Sequence, residues 1–294
     1  MATAPILVTG GTGQVAMALE RLAGSRPLRR VGRPAFDFDQ PDGLHPLLDA
    51  VAPSLVINAA AYTAVDKAES EPDAATRANA TGPGLIAQWC ARAGVKLIHI
   101  STDYVFDGTK GAPYVEEDAT SPTGVYGSTK LAGEQAVLAS GAQAIILRTS
   151  WVYSATGKNF VLTMLNAARK TNSLRVVADQ RGCPTAADDL AMTILDISDR
   201  LMSNGWDAAL GGVYHAAGRG ETTWHGLASA VFDRAAQHGL ARPDVAPIAT
   251  ADWPTPARRP ADSRLDCGKL ERLFGLRLPP WQESVARTVD ATFG

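Results

Sequence analysis

A short apolar strand, a glycine turn and a helix open the chain in that order, and this arrangement constrains the fold more than any other feature. Ile6-Leu7-Val8-Thr9 is typical of a buried strand, and Gly10-Gly11-Thr12-Gly13 follows it directly. A helical pattern then runs from Gln14 to about Ala23. A strand that feeds a helix through a tight turn begins a βαβ unit, so this segment predicts a parallel sheet.

The alternation of strands and helices continues through the first half of the chain. The further predicted strands are Leu28–Val31, Leu55–Asn58, 95–101 and 144–148, and the predicted helices are 71–93 and 126–139. This pattern predicts an α/β fold with a doubly wound, Rossmann-type parallel sheet in residues 1–150. After Trp151 the pattern is less regular, so residues 151–294 are expected to form a smaller C-terminal lobe, with segments near 175–217 returning to the main sheet.

The glycine turn has the spacing of a site for a nucleotide diphosphate. Gly10 permits the tight turn, and Gly13 lets the backbone approach a pyrophosphate. The helix that begins at Gln14-Val15 offers free N–H groups and a partial positive charge to that anion. Residues 1–150 are therefore predicted to bind a dinucleotide, and residues 151–294 are predicted to bind the substrate.

The end of the second strand gives a hypothesis about the cofactor. An acidic residue there would bind the ribose 2′-hydroxyl of NAD, but Gly32-Arg33 stands at this point instead. Arg33 suits a 2′-phosphate, to which a charge-assisted hydrogen bond contributes ~1.5–3 kcal/mol. The alternative is an ordinary surface arginine. Asp37-Phe38 follows and is expected to border the adenine, so the sequence predicts NADPH, with NADH as a usable second cofactor.

Tyr126 and Lys130 form a Tyr-x-x-x-Lys pattern on a predicted helix, where residues four apart share a face. An ammonium beside a phenol lowers the phenol pKa and equips it to donate a proton to a developing alkoxide. The pattern is common by chance, so its context matters. Ser101-Thr102-Asp103 ends a predicted parallel strand, which is where open α/β sheets place ligands, and Thr102 can bond the same substrate oxygen. These residues predict an oxidoreductase.

Other classes of function find little support in the sequence. Lys and Arg total 28 and Asp and Glu total 30, and this balance argues against a nucleic-acid partner. The three cysteines have neither disulfide-framework nor zinc-site spacing, and the five histidines show no metal-ligand spacing. No signal peptide and no apolar run of ~18 residues is visible, so a cytoplasmic protein without a membrane partner is expected.

Several segments resemble the extended short-chain dehydrogenase/reductase family and, within it, the dTDP-4-dehydrorhamnose reductases. Two are far more specific than the generic motifs: Ala64-Val65-Asp66-Lys67-Ala68-Glu69 and Arg148-Thr149-Ser150-Trp151-Val152-Tyr153. The other matching segments are 10–15, 58–63, 101–108, 121–122, 126–134, 179–180, 182, 184–185 and 258–265. The resemblance spans essentially the whole chain.

The resemblance implies a reaction and a set of site residues. The reaction is reduction of the 4-keto group of dTDP-4-dehydro-6-deoxy-L-mannose to dTDP-L-rhamnose. Thr102, Tyr126 and Lys130 would be the catalytic residues, and Thr102, Asp103 and Trp151 would contact the sugar nucleotide. The implied cofactor contacts are Gly13, Gln14, Val15, Asp37, Phe38, Ala61, Tyr62, Thr63, Tyr126 and Lys130.

The sugar-nucleotide hypothesis also draws on residue types outside the main motifs. Trp151 suits a deoxy sugar, either as an apolar wall or as a stacking plane. Arg258, Arg259 and Arg264 cluster in a Pro-rich stretch, and guanidinium groups suit a diphosphate. The alternative for these arginines is a solvated basic patch.

Two other functions remain open on the sequence alone. A nucleotide-sugar 4-epimerase uses the same three catalytic residues, but it consumes no reduced cofactor over a full cycle. A non-catalytic regulatory subunit, such as the beta subunit of methionine adenosyltransferase, also resembles this family. Retention of Thr102, Tyr126 and Lys130 together weighs against the second alternative.

Magnesium and oligomeric state form a separate expectation. Some members of the family form a homodimer bridged by magnesium, held by a glutamate on the first helix and acidic residues from a later segment. The corresponding helix residue here is Ala18, and only Asp188-Asp189 remains. Magnesium prefers a nearly octahedral set of oxygen ligands. We therefore expect no metal site, while a homodimer stays open.

Overall fold

The computed structural model describes residues 4–294, and their core is one six-stranded parallel sheet. The strands are β1 (Ile6–Thr9), β2 (Leu28–Val31), β3 (Leu55–Asn58), β4 (Lys96–Thr102), β5 (Ala144–Thr149), β6 (Val152–Tyr153), β7 (Ser173–Val177), β8 (Arg181–Gly182), β9 (Thr185–Ala186), β10 (Gly212–His215), β11 (Thr222–Thr223) and β12 (Asp244–Ile248). The helices are α1 (Gln14–Leu22), α2 (Leu44–Val51), α3 (Val65–Ala68), α4 (Pro72–Thr76), α5 (Gly82–Ala93), α6 (Val125–Ala139), α7 (Phe160–Ala168), α8 (Ala187–Asn204), α9 (Trp224–Ala236), α10 (Gly268–Phe274) and α11 (Trp281–Asp290).

The strand order places a crevice at the carboxyl ends of the first strands. The order across the sheet is β10-β5-β4-β3-β1-β2, and every neighbouring pair is parallel. The chain therefore reverses its direction of winding on either side of β1, and open α/β sheets bind ligands at this switch point. Thr9 Oγ1 donates to Asn58 Oδ1 at 2.6 Å and joins the ends of β1 and β3 at that point. The predicted doubly wound sheet is confirmed.

Helices cover both faces of the sheet because successive strand residues point to opposite sides. Ile6 and Val8 lie in a core shared with α1 and α8, while Leu7 lies in a second core shared with α2 and α5. Strands buried on both faces read as continuous apolar runs, which is why β1 and β3 are visible in the sequence.

Later segments divide between the main sheet and a smaller lobe. Strand β10 pairs with β5 at the edge of the sheet, and α8 packs against α1. The lobe has its own core from α7, α9 and α11, and its paired strands are β7 with β12, β6 with β9 and β8 with β11. Helix α10 also contributes to the core under the main sheet, which the sequence did not predict. On this basis we propose that the chain divides at residue 150 into a dinucleotide-binding part and a substrate-binding lobe.

The helix predicted over residues 71–93 is interrupted. It begins at Pro72, and a π-helical turn over Arg77–Thr81 separates α4 from α5. A π-turn inserts one extra residue into a helix and is frequent at functional sites. Within residues 4–294, none of the helices is long and apolar enough to cross a membrane.

Candidate active site

Glycines shape the turn between β1 and α1. Gly10 has φ +117°, and a Cβ there would lie 2.9 Å from the carbonyl carbon and oxygen of Ala59. A Cβ on Gly32 would lie 2.4 Å from Gly11 Cα. Side chains at these positions would therefore push apart the turn and the ends of the neighbouring strands. Helix α1 starts at Gln14 with its first N–H groups free for an anion.

One cleft of about 720 Å³ runs from the glycine turn to the carboxyl ends of β4 and β5. It is lined by most of the predicted site residues: Gly10, Gly13, Gln14, Val15, Arg33, Asp37, Phe38, Ala61, Tyr62, Thr63, Thr102, Asp103, Tyr126, Lys130 and Trp151. Tyr104, Lys158 and Trp224 also line it, although no sequence motif predicted them. The fold thus gathers residues separated by more than two hundred positions in the chain.

Arg33 lies at one end of this cleft, and its partners differ from the sequence expectation. Its guanidinium pairs with Asp37 at 2.8 Å and with Asp39 at 2.6 Å. The spacing of the sequence did not reveal these two ion pairs, because they form only when the loop after β2 folds back on Arg33. The Arg33 side chain is nevertheless 67% exposed, so a ligand phosphate can reach it. Phe38 is a core residue whose ring fills the space beside Gly82.

Thr102, Tyr126 and Lys130 come together where β4 ends and α6 begins. The Thr102 hydroxyl donates to Asp103 Oδ1 at 3.0 Å and accepts from the Tyr104 N–H at 3.2 Å. The Lys130 ammonium donates to the Ile100 carbonyl oxygen at 2.7 Å. Because this bond fixes the lysine against β4, its ammonium is held on the floor of the cleft.

Burial dominates the acid–base properties of Tyr126 and Lys130. It raises the pKa of Tyr126 to about 12, with the Asp103 charge adding to this effect and the Thr102 hydroxyl opposing it. Burial lowers the pKa of Lys130 to about 8, although the nearby Glu134 charge raises it. The downward shift expected for the Tyr126 pKa is therefore not observed, because burial dominates and the net shift is upward. Tyr126 is protonated at neutral pH, while Lys130 titrates just above it.

Asp103 is a buried carboxyl group in the same cleft. Burial raises its pKa to about 6, against the hydrogen bonds from the Ser263 and Thr102 hydroxyls. Its Oδ2 atom is buried and has no hydrogen-bond partner within residues 4–294. A buried acceptor without a partner is costly, so this oxygen is suited to a ligand hydroxyl.

Two tryptophans form the opposite wall. Trp151 has φ +49° and stacks on Trp224 with ring centroids 3.6 Å apart and an interplanar angle of 7°. The Trp224 Nε1–H donates to Gln180 Oε1 at 3.0 Å, which fixes the second ring. Thr-Thr-Trp at the start of α9 carries no dehydrogenase signature, so only the tertiary structure shows that Trp224 belongs to the site.

The three arginines of the Pro-rich stretch do not act as one group. Arg264 is buried and paired with Asp262 at 2.6 Å and with Glu221, so its guanidinium already has carboxylate partners. Arg259 pairs with Asp66 at 2.8 Å. Arg258 is exposed. None of the three lies among the cleft-lining residues of the described chain, 4–294.

The two acidic residues considered for magnesium are engaged elsewhere. Asp188 pairs with Arg21, and Asp189 pairs with Arg287 at 2.6 Å and accepts from the Ser284 hydroxyl. In the part of the chain that the structure describes, no cluster of three or more His, Cys, Asp or Glu side chains is placed to hold a metal ion.

Comparison with known proteins places the chain in a family. The family model described as the RmlD substrate binding domain matches residues 4–293. The chain belongs to this family. The chain is 48% identical over 289 residues to the dTDP-4-dehydrorhamnose reductase of Sinorhizobium fredii, covering 97% of each protein. The chain is 43% identical to that of Salmonella typhimurium over 295 residues, covering 98% of each.

Solved structures agree with this membership. A dTDP-4-dehydrorhamnose reductase from Clostridium acetobutylicum has a TM-score of 0.90 at 34% identity, covering 98% of this chain and 99% of that one. The enzyme from Bacillus anthracis, solved in complex with NADP, has a TM-score of 0.90 at 32% identity, covering 99% and 100%. The resemblance to the dTDP-4-dehydrorhamnose reductases that the motifs indicated is confirmed over essentially the whole chain.

Proposed function

We propose that this protein reduces the 4-keto group of dTDP-4-dehydro-6-deoxy-L-mannose with NADPH and releases dTDP-L-rhamnose. One observation carries the proposal: Thr102, Tyr126 and Lys130 line the same cleft as the glycine turn and the tryptophan wall. The names of the relatives supply the substrate class, and the cleft supplies the chemistry that such a substrate requires.

The residues around the glycine turn fit a dinucleotide. Gly10 and Gly32 keep the turn narrow, and the start of α1 presents free N–H groups where a diphosphate would lie. Ala61, Tyr62 and Thr63 would hold the middle of the molecule, and Arg33 would meet a 2′-phosphate. When bound, the reduced nicotinamide supplies the hydride.

Tyr126 is the proton donor in this proposal. Its raised pKa keeps the phenol protonated at neutral pH, and an alkoxide forming at C4 is basic enough to take the proton. Thr102 would donate a second hydrogen bond to the same oxygen. Lys130 stabilises the phenolate left on Tyr126 through its positive charge, and the Ile100 carbonyl orients it for that role.

The opposite wall would bind the deoxy sugar. Trp151 and Trp224 offer an apolar surface for the 6-methyl group, and the free Oδ2 of Asp103 would accept from a sugar hydroxyl. Among the three arginines, Arg258 is retained as a candidate for the substrate diphosphate, since Arg264 is satisfied by carboxylates.

The test is turnover of the isolated protein. Purified protein with dTDP-4-dehydro-6-deoxy-L-mannose and NADPH should oxidise one NADPH for each dTDP-L-rhamnose formed. Conversion of a nucleotide sugar to its 4-epimer without net consumption of NADPH would instead identify an epimerase. Absence of any turnover would favour a regulatory subunit. A homodimer and a cytoplasmic location belong to the same proposal and are tested by sizing and by fractionation.

A further inference from the structure

Residues 154–159 form a strap that crosses the start of α1. The strap connects β6 to α7 and is fastened to Gln14, whose Oε1 accepts from Ser154 Oγ and from Asn159 Nδ2, both at 2.9 Å. Asn159 also caps α7 by accepting from the Leu162 N–H at 3.0 Å. The strap is therefore anchored at both ends, on the helix that starts the dinucleotide site and on a helix of the smaller lobe.

The strap brings one lysine to the cleft. A Cβ on Gly157 would lie 3.5 Å from Gln14 Cγ, so the backbone runs directly beside the first residue of α1. The next residue, Lys158, is exposed and lines the cleft. Lys158 thus borders the cleft next to the N-terminus of α1.

Charge in the cleft makes this lysine important. The cations among the described cleft-lining residues are Arg33, Lys130 and Lys158. Arg33 is paired with two aspartates, and Lys130 is tied to a carbonyl on the cleft floor. Lys158 makes no ion pair within residues 4–294. A dinucleotide diphosphate carries two negative charges, and the α1 N-terminus supplies only about half a positive charge.

We propose that Lys158 is a cofactor-binding residue that contacts the diphosphate bridge of the nicotinamide dinucleotide, and that the strap positions it there through Gln14. The proposal rests on the function proposed above. The substrate also contains a diphosphate, so the shared chemistry is a nucleoside diphosphate. The connection to Gln14 favours the cofactor, since Gln14 is the first residue of the helix whose N–H groups face that anion.

The test measures cofactor binding without substrate, so it does not depend on turnover. Lys158→Gln removes the charge from an exposed side chain and should leave folding intact. We expect Kd for NADPH and for NADH to rise by about fivefold each, because the diphosphate is common to both. Lys158→Arg keeps the charge and should restore most of the affinity. The increase in Kd should shrink as salt concentration rises.

Two control variants separate the alternatives. Lys170→Gln removes the same charge from an exposed lysine outside the cleft and should leave both Kd values unchanged. Arg33→Ala should weaken the binding of NADPH and leave the binding of NADH unchanged, because Arg33 would contact only the 2′-phosphate. Unchanged Kd values in Lys158→Gln, a loss confined to NADPH, or a higher KM for the sugar nucleotide with unchanged cofactor Kd would each overturn the proposal. If the protein binds cofactor as expected but shows no reductase turnover, the proposed function fails and this inference stands.

Discussion

Tyr126 is suited to donate a proton at neutral pH because burial stabilises its neutral form. The phenol pKa is raised to about 12, so almost every molecule carries the proton before the reaction begins. The cost of this arrangement is that the phenolate formed in the reaction needs stabilisation. Lys130, one helical turn further along α6, is the cation placed to provide it.

Tyr126→Phe should therefore lower kcat by about 10²–10⁴-fold, the usual contribution of general acid catalysis. The Kd for NADPH should change little, because the ring that lines the cleft is retained. Steady-state kinetics and a binding titration measure the two quantities. As a control, Tyr214→Phe removes a buried hydroxyl that bonds the Leu210 carbonyl away from the cleft, and its kcat should stay near wild type. Near-normal turnover in Tyr126→Phe would rule out the mechanism.

Loss of the Lys130 proton at alkaline pH should limit activity. The pKa of Lys130 is lowered to about 8 by burial, so the ammonium is present below that pH and is lost above it. If its charge is required, kcat/KM should fall about tenfold per pH unit above pH 8. Lys130→Arg should move the fall to higher pH, because the guanidinium stays charged. A kcat/KM that stays level to pH 10 in the wild-type protein would contradict this role.

At the scale of single residues, the sequence predicts which residues form the site better than it predicts which side chains they contact. Tyr126, Lys130 and Thr102 were predictable because their spacing and their place at a strand end carry the signal. The ion pairs of Arg264 were not predictable, because folding brings the aspartate and the glutamate that neutralise it to its side chain. Trp224 was missed because its stacking partner, Trp151, is distant in sequence.

Helix α6 carries the catalytic pair and is held by contacts at both ends. Its first N–H group is bound by the residue that follows α3: Glu69 Oε1 accepts from the Val125 N–H at 2.9 Å. Further along, Glu134 forms a buried bidentate ion pair with Arg148 on β5. Arg148 Nε donates to Glu134 Oε1 at 2.9 Å, and Arg148 Nη2 donates to Glu134 Oε2 at 2.7 Å. The specific segments 64–69 and 148–153 thus include residues that position the catalytic helix.

Glu134→Gln tests this support. The Arg148 and Glu134 side chains are 5% and 2% exposed, so removing one charge leaves the other buried without its partner. The free energy of unfolding should fall by about 3–5 kcal/mol. The change also removes the charge that raises the Lys130 pKa, so the alkaline fall in kcat/KM should move to lower pH. Denaturant unfolding and a pH profile check the two effects, and the paired variant Glu134→Leu with Arg148→Met should recover much of the stability. A pH profile identical to wild type would show that Glu134 does not act on Lys130.

The π-turn explains why one predicted helix was only partly correct. Asn79 lies in this π-turn and is fully buried. Its side-chain amide binds the Tyr62 backbone through two hydrogen bonds: Oδ1 accepts from the Tyr62 N–H at 2.8 Å, and Nδ2 donates to the Tyr62 carbonyl at 3.1 Å. Nδ2 also donates to Thr129 on α6 at 3.1 Å. An apolar periodicity of 3.6 residues does not reveal a single inserted residue, so the sequence could predict the helix but not the turn that ties the cofactor loop to α6.

On the scale of the whole molecule, the first half of the fold was predictable and the second was predictable only in outline. Strands buried on both faces and glycine-marked turns give strong local signals up to β5. Segments near 175–217, which include β10, were expected to return to the main sheet, whereas the packing of α10 under the sheet depends on long-range contacts that leave little periodic trace. Long-range packing also brings α8 against α1, and α8 bears the two acidic residues considered for magnesium.

The assembly should be independent of magnesium. Ala18 on α1 is buried and offers no oxygen, and both acidic residues at the start of α8 already have cationic partners: Asp188 pairs with Arg21 and Asp189 with Arg287. A magnesium ion would have to displace these arginines and still lack a carboxylate from α1, although it prefers nearly octahedral oxygen coordination. We therefore expect the same elution volume and the same turnover in EDTA and in millimolar magnesium. As a matched control, Asp188→Asn should leave both results unchanged. An oligomer that dissociates on chelation and reforms only with magnesium would show that other oxygen ligands replace the missing carboxylate, and would overturn this expectation.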